Sequence, residues 1–235
     1  MRKPVAKKAK PVAAPVPPSS LKYAVVTTLP PDQYNVYGRE FLQSYVEHWT
    51  TPIHIYWEGA DHPTDVDGKG LVTWHNLNED QDRAAFIERH PGEEKDYRTA
   101  AKRLCHKVFA LNDPKRIAAC EDVETWVWLD ADVKTIAPVD GAFLDSVCPI
   151  GHTGSYLGRM DYPHSECGFV AYRGKKKGRA FLQIFRNWYV KDEIFKFPET
   201  HDSYIFDMIR ELTGSKWFNI SEGVPGMHVW DDCPL

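Results

Sequence analysis

The 235-residue chain is 43% hydrophobic and 26% charged, a balance that supports one large domain, or two small ones, with a real core. It excludes a peptide hormone, a collagen-like fibre and a wholly disordered chain. The net charge of −4 is unevenly spread: residues 1–20 hold Arg2, Lys3, Lys7, Lys8, Lys10 and no acid, so a +5 segment precedes a body of −9.

That first segment also holds five prolines. Pro, Ala and Lys cannot build a core, so residues 1–20 are expected to be a disordered tail ahead of a domain over 21–235. No apolar stretch follows the basic residues, which argues against a secretory signal. The tail reads as a solubilising leader, or as a weak tether to a polyanion such as nucleic acid. No apolar run of about 18 residues occurs anywhere, so no membrane insertion is expected. Cys105, Cys120, Cys148, Cys167 and Cys233 are scattered, with no CxxC spacing. That pattern fits a reducing, cytoplasmic setting better than a disulfide framework or structural zinc.

In chain order, Tyr23–Leu29 (YAVVTTL) is a β-branched apolar run ending at Pro30-Pro31, and it reads as a buried strand. The apolar spacing from Tyr34 to Trp49 predicts a helix. Ile53–Trp57, closed by Glu58-Gly59, and Leu71–Trp74 read as the next strands. Strand, helix and strand in this order predict a βαβ unit and a mostly parallel sheet. Arg98–Leu111 (RTAAKRLCHKVFAL) is the clearest helix, with Ala101, Leu104, Cys105, Val108 and Phe109 on one face. Arg98, Lys102 and His106 form a second row with Arg103 and Lys107 beside it. That row is either a solvated face or one that looks at a phosphate. Trp126–Leu129 and Gly168–Tyr172 read as strands, and Arg179–Tyr189 and Ser203–Leu212 as helices.

The run WVWLDADV places Asp130 and Asp132 just past a buried strand. Ligands of open α/β sheets bind outside the carboxyl ends of strands. Residues i and i+2 of a strand point the same way, so two such carboxylates repel unless a cation lies between them. Mg²⁺ or Mn²⁺, with hard oxygen ligands, answers that repulsion. The bland alternative is an acidic turn that closes a strand.

Over residues 22–235 the chain resembles nucleotide-sugar glycosyltransferases of the GT-A fold. The resemblance rests on the Thr27-Thr28 strand end, the basic helix AAKRLCHKVFAL, WLDAD, SECGFVAY, HDSYIFD and the late histidine of GMHVW. It implies a single α/β, Rossmann-like domain with a mostly parallel central sheet flanked by helices. It implies that Asp130 and Asp132, with His228 as third ligand, hold Mn²⁺ or Mg²⁺ on the diphosphate of a sugar-nucleotide donor. Thr27 and Thr28 are then expected to cradle the nucleotide, and Lys102 and Arg103 to approach it or its phosphates. Glu166 and Asp202 become the candidate catalytic bases on the sugar and acceptor side. The family pattern continues with a basic C-terminal segment, so an active-site flap is expected to be cut short at Leu235. The acceptor hydroxyl could belong to a glycan, a protein or a hydroxymethylated DNA base, and the basic tail is the feature that suits DNA.

The residues have plainer readings too. Asp202 suits the N-cap of the helix after it. Glu166 could simply pair with Arg159 or Arg173, and His228 could be a surface histidine. DADV also fits the nucleophile motif of haloacid-dehalogenase phosphatases, although that strand normally opens its domain. A nucleotidyltransferase would need a Gly-rich basic loop after the first strand, which TTLPPDQYNVYG lacks. A nucleic-acid-binding module sits poorly with the acidic body.

Overall fold

The computed structural model describes residues 22–92, 95–160 and 162–222. The tail and His228 lie outside the described residues.

Among the described residues the architecture is α/β, built on a single seven-stranded sheet in the order β3-β2-β1-β4-β6-β5-β7. The strands are β1 (Tyr23–Leu29), β2 (Ile53–Trp57), β3 (Val72–Asn76), β4 (Thr125–Leu129), β5 (Gly154–Leu157), β6 (Glu166–Arg173) and β7 (Trp217–Asn219). The pairings β1–β2, β2–β3, β1–β4 and β5–β7 are parallel, whereas β6 runs antiparallel to both β4 and β5. Every residue of β2 and of β4 is buried, as expected of central strands covered on both faces.

Helices cover the two faces. One layer holds α1 (Arg39–His48) and α5 (Gly141–Val147). The other holds α2 (Gln81–Arg89), α3 (Ala101–Leu111), α6 (Arg179–Val190) and α7 (Asp202–Thr213), while the short α4 (Pro114–Ala119) follows α3. The alternation along β1 sorts its side chains between the layers. Ala24 and Val26 pack under α2, α3, α6 and α7, whereas Tyr23, Val25 and Leu29 pack under α1 and α5.

Several boundaries differ from the sequence expectation, each for a local reason. The helix expected from Tyr34 opens as a π-turn over Tyr34–Gly38, and the regular helix starts only at Arg39. The helix expected from Arg98 begins at Ala101. Asp96 caps a separate turn over Tyr97–Thr99, and Ala100 leaves the helical region at φ −78°, ψ 53°. Arg98 is therefore not in one helical row with Lys102 and His106. The helix expected from Ser203 starts at Asp202, and its N-cap is His201, whose Nδ1 accepts from the Tyr204 N–H at 3.3 Å. The capping reading of Asp202 is corrected accordingly. The elements α2, α4, α5, β5 and β7 are too short or too polar to show a clear period. In α2, for example, only Arg83 and Phe86 are buried.

Candidate functional site

The parallel strands β1, β2 and β4 all end at one edge of the sheet. Because β6 runs the other way, its first residue reaches the same edge: Leu129 pairs with Phe169, and the Asp130 N–H donates to the Gly168 carbonyl at 2.8 Å. Thr28, Glu58, Asp130 and Glu166 therefore meet there, although they are far apart in the chain. Helix α3 and the start of α7 close over them. Three adjoining clefts, of about 550, 190 and 420 Å³, run along this edge and share residues such as Thr28, Arg103, Asp130, Glu166 and Asp202.

At the centre lies Lys107, a residue the sequence reading left on a cationic helix face. Its ammonium is buried and sits 3.3 Å from Asp130 Oδ1 and 2.5 Å from Asp202 Oδ2. It also donates to the Cys167 carbonyl at 2.9 Å and lies 4.9 Å from the centre of the Trp128 ring. Burial by itself would push this ammonium down. The two carboxylates reverse that effect and hold its pKa above the ordinary lysine value. Asp130 is pushed upward by burial and by the Asp202 and Asp132 charges, against the opposing pull of Lys107.

Asp130 and Asp132 do not lie in a strand. β4 stops at Leu129, and a turn carries Asp130 to Asp132. The expectation that strand geometry aims both carboxylates is thus corrected: the turn brings both to the wall of the 550 Å³ cleft, with Asp132 exposed. Among the described residues, Trp128 Nε1 donates to Asp130 Oδ1 at 2.5 Å, and the Lys107 ammonium lies against the same oxygen. Oδ2 of Asp130 and the Asp132 carboxylate remain as hard oxygen donors in a water-accessible cleft, a set that fits Mg²⁺ or Mn²⁺. The expected third ligand, His228, lies outside the described residues.

The other nominated residues divide. Thr28 lines the cleft, but Thr27 does not. It is fully buried, and its odd position on β1 turns it to the opposite face of the sheet. Arg103 lines all three clefts, whereas Lys102 lines none and donates from Nζ to the Gly92 carbonyl. One helical step of about 100° separates their directions. The expectation that Thr27 and Lys102 face the cleft is therefore corrected, while Thr28 and Arg103 line it, with Lys107 beside them. Glu166 pairs with Arg159 as the plainer reading had it, and it also accepts from the Gly168 N–H at 2.9 Å. Arg173 instead donates to Tyr23 and to the Cys148 carbonyl. Both Glu166 and Asp202 line the two clefts of about 190 and 420 Å³.

Glu58 directly follows β2, where strand pattern alone gives it no role beyond closing the strand. It lines the 550 Å³ cleft beside Thr28. Burial raises its pKa to about 7, despite the nearby Arg83 and Thr28. Arg83 donates to His106 Nδ1 at 2.8 Å, and burial with that guanidinium pushes His106 down to about 3, so its ring stays neutral. Glu58 binds a proton more tightly in the folded chain than in the unfolded one. Folding stability should therefore fall as pH rises from about 4.5 to about 7. Glu58→Gln is expected to be more stable than wild type at pH 8 and equal to it at pH 4, as measured by urea unfolding.

A cleft of about 560 Å³ lies elsewhere, at the β2–β3 edge. Its carboxylates are already engaged: Asp80 and Asp82 hold Arg186, Glu79 holds Lys115, and Asp113 accepts from the Tyr56 hydroxyl.

No protein-family model matches the sequence, and no curated protein is significantly similar to it.

Proposed function

We propose that this protein is a metal-dependent glycosyltransferase of the GT-A type, moving a sugar from a nucleoside-diphosphate donor to a hydroxyl acceptor. The observation that carries the reading is the convergence of Asp130, Asp132, Arg103 and Lys107 with Glu166 and Asp202 along one edge of a mostly parallel sheet. In such a transfer, negative charge develops on the leaving diphosphate. A divalent cation held by Asp130 and Asp132 would supply Lewis-acid stabilisation of that charge. Arg103, exposed at the junction of the three clefts, adds a donor for phosphate oxygens. Lys107 keeps Asp130 and Asp202 in place by screening their mutual repulsion. Thr28 and Glu58 offer a hydroxyl and a carboxylate to the polar edges of the nucleoside.

The acceptor then enters from the 420 Å³ side, where Glu166 and Asp202 face it. For an inverting transfer we assign the base to Glu166, because its partner Arg159 is part-exposed on the cleft wall, whereas Asp202 is held by the buried ammonium of Lys107. Glu166→Gln is then expected to lower kcat by about 10²–10⁴-fold with little change in donor KM. Asp202→Asn should change both, since it also removes one of the two carboxylates that hold Lys107. Equal effects of the two variants on kcat and KM would remove this division of labour.

The test of the function is a donor panel. UDP-, GDP- and other sugar nucleotides are incubated with the full chain and Mn²⁺, and nucleoside diphosphate release is measured. Release from one donor, dependent on the metal, is the expected result. No release from any donor, together with a trapped aspartyl-phosphate on Asp130, would assign the phosphatase chemistry of DADV instead.

A further inference from the structure

We propose that His164, Glu199 and His201 form a second divalent-cation site, of the two-imidazole, one-carboxylate kind and suited to Zn²⁺. It is separate from the Asp130–Asp132 turn and does not depend on the glycosyl-transfer reading. His164 lies in the connection between β5 and β6, while Glu199 and His201 lie in the approach to α7. The fold nevertheless brings their ligand atoms within 4.8 Å of one another. Nε2 of His164 is 3.5 Å from Glu199 Oε2, and Nε2 of His201 is 2.9 Å from the same oxygen.

The two separations to the carboxylate are close to those that zinc imposes, and the two imidazoles lie within 4.8 Å of each other. Ligands about 2.0–2.2 Å from a tetrahedral zinc lie roughly 3.3–3.5 Å from one another. The His164 edge already has that length, and the His201 edge must open by about half an ångström. The rings are also held in place. His164 packs edge-on against His201 at 4.9 Å and against Tyr204 at 5.3 Å between centroids. The three residues line the 420 Å³ cleft, which leaves room for a water or another ligand at the fourth position. Imidazole nitrogen favours zinc and its neighbours over Mg²⁺ and Mn²⁺, so the two sites differ in the ions they prefer.

Protons account for the difference between the empty and filled states. The Tyr204 N–H donates to His201 Nδ1 at 3.3 Å, so neutral His201 carries its proton on Nε2, toward Glu199. Zinc takes the Nε2 lone pair, the proton moves to Nδ1, and the long hydrogen bond from Tyr204 is given up. In exchange, the β5–β6 connection is cross-linked to the start of α7, one residue before Asp202. Filling the site therefore stiffens the wall that carries a candidate catalytic carboxylate.

The experiment is Zn²⁺ titration of the full chain by calorimetry, with Co²⁺ as an absorbing substitute that reports tetrahedral coordination. An Asp130→Asn/Asp132→Asn variant should keep this binding, which separates the site from the proposed donor metal. His164→Ala and Glu199→Gln should each weaken it by more than the roughly 10–100-fold that loss of an outer-shell partner brings. Zn²⁺ should also raise the Tm of wild type but not of Glu199→Gln. Each variant is checked by circular dichroism, and His164→Gln replaces any that fails to fold. Wild-type Zn²⁺ affinity in both ligand variants, or no binding by the wild type, would overturn the proposal whatever the donor panel shows.

Discussion

Replacing Asp130 by asparagine is expected to lower Mn²⁺-dependent nucleoside diphosphate release by about a thousandfold or more, which corresponds to roughly 4 kcal/mol of lost transition-state stabilisation. The amide keeps an oxygen for the Trp128 Nε1–H, so the turn after β4 retains its anchor. It removes a carboxylate whose ionised form is already disfavoured by burial. The fold should therefore survive, and urea unfolding should show a change within about 1 kcal/mol, small beside the usual range of destabilising substitutions. Metal titration in the presence of the nucleoside diphosphate should show weakened Mn²⁺ affinity. A variant that releases nucleoside diphosphate at the wild-type rate without metal would end the metal-dependent reading.

Lys107→Met should have the largest effect on stability. Methionine has nearly the length of lysine but no charge, so it leaves Asp130 and Asp202 without the ammonium that lies between them. Removing one partner of a buried ion pair costs about 3–5 kcal/mol, because an uncompensated charge stays behind. The sign with pH follows from the raised pKa of Lys107. Its contribution is complete below the ordinary lysine value of 10.5 and is lost only as pH climbs beyond it. At neutral pH the full difference between wild type and variant should be visible, and it should narrow in acid as the carboxylates protonate. Adding Asp202→Asn to Lys107→Met should recover part of the loss. A single-variant cost below about 1 kcal/mol would be that of a surface pair and would place the anchor of the site elsewhere.

Much of the frame was legible in residue order. β-branched and aromatic runs marked β1, β2, β4 and β6, because a strand covered on both faces must be apolar at nearly every position. Asp130 and Asp132 follow the carboxyl end of β4, the place the strand-end rule points to, and line a cleft there, though a turn rather than strand geometry sets their directions. The same rule applied to β2 would have found Glu58. Lys107 had a signal as well, since it lies four residues after Arg103 on α3 and thus shares its face. That signal was masked because cations on a helix usually mark a solvated face.

The sequence by itself determined the local choices: which stretches are apolar enough to be central strands, where the strand before the acidic turn ends, and which helix is basic. These follow from side-chain chemistry and spacing within a few residues. Only the tertiary structure decided which groups meet. Thr27 and Thr28 are alike in sequence, yet the pleat of β1 buries one away from the cleft and opens the other to it. Glu166 lines the same cleft as Asp130 because β6 runs antiparallel to β4, and strand direction depends on long-range pairing rather than on local pattern. The contacts of Lys107 with Asp202, and of His164 with Glu199, join segments whose approach is set by packing of α3, α7 and the sheet. Period and propensity describe one element at a time, whereas the distances that make a site arise between elements.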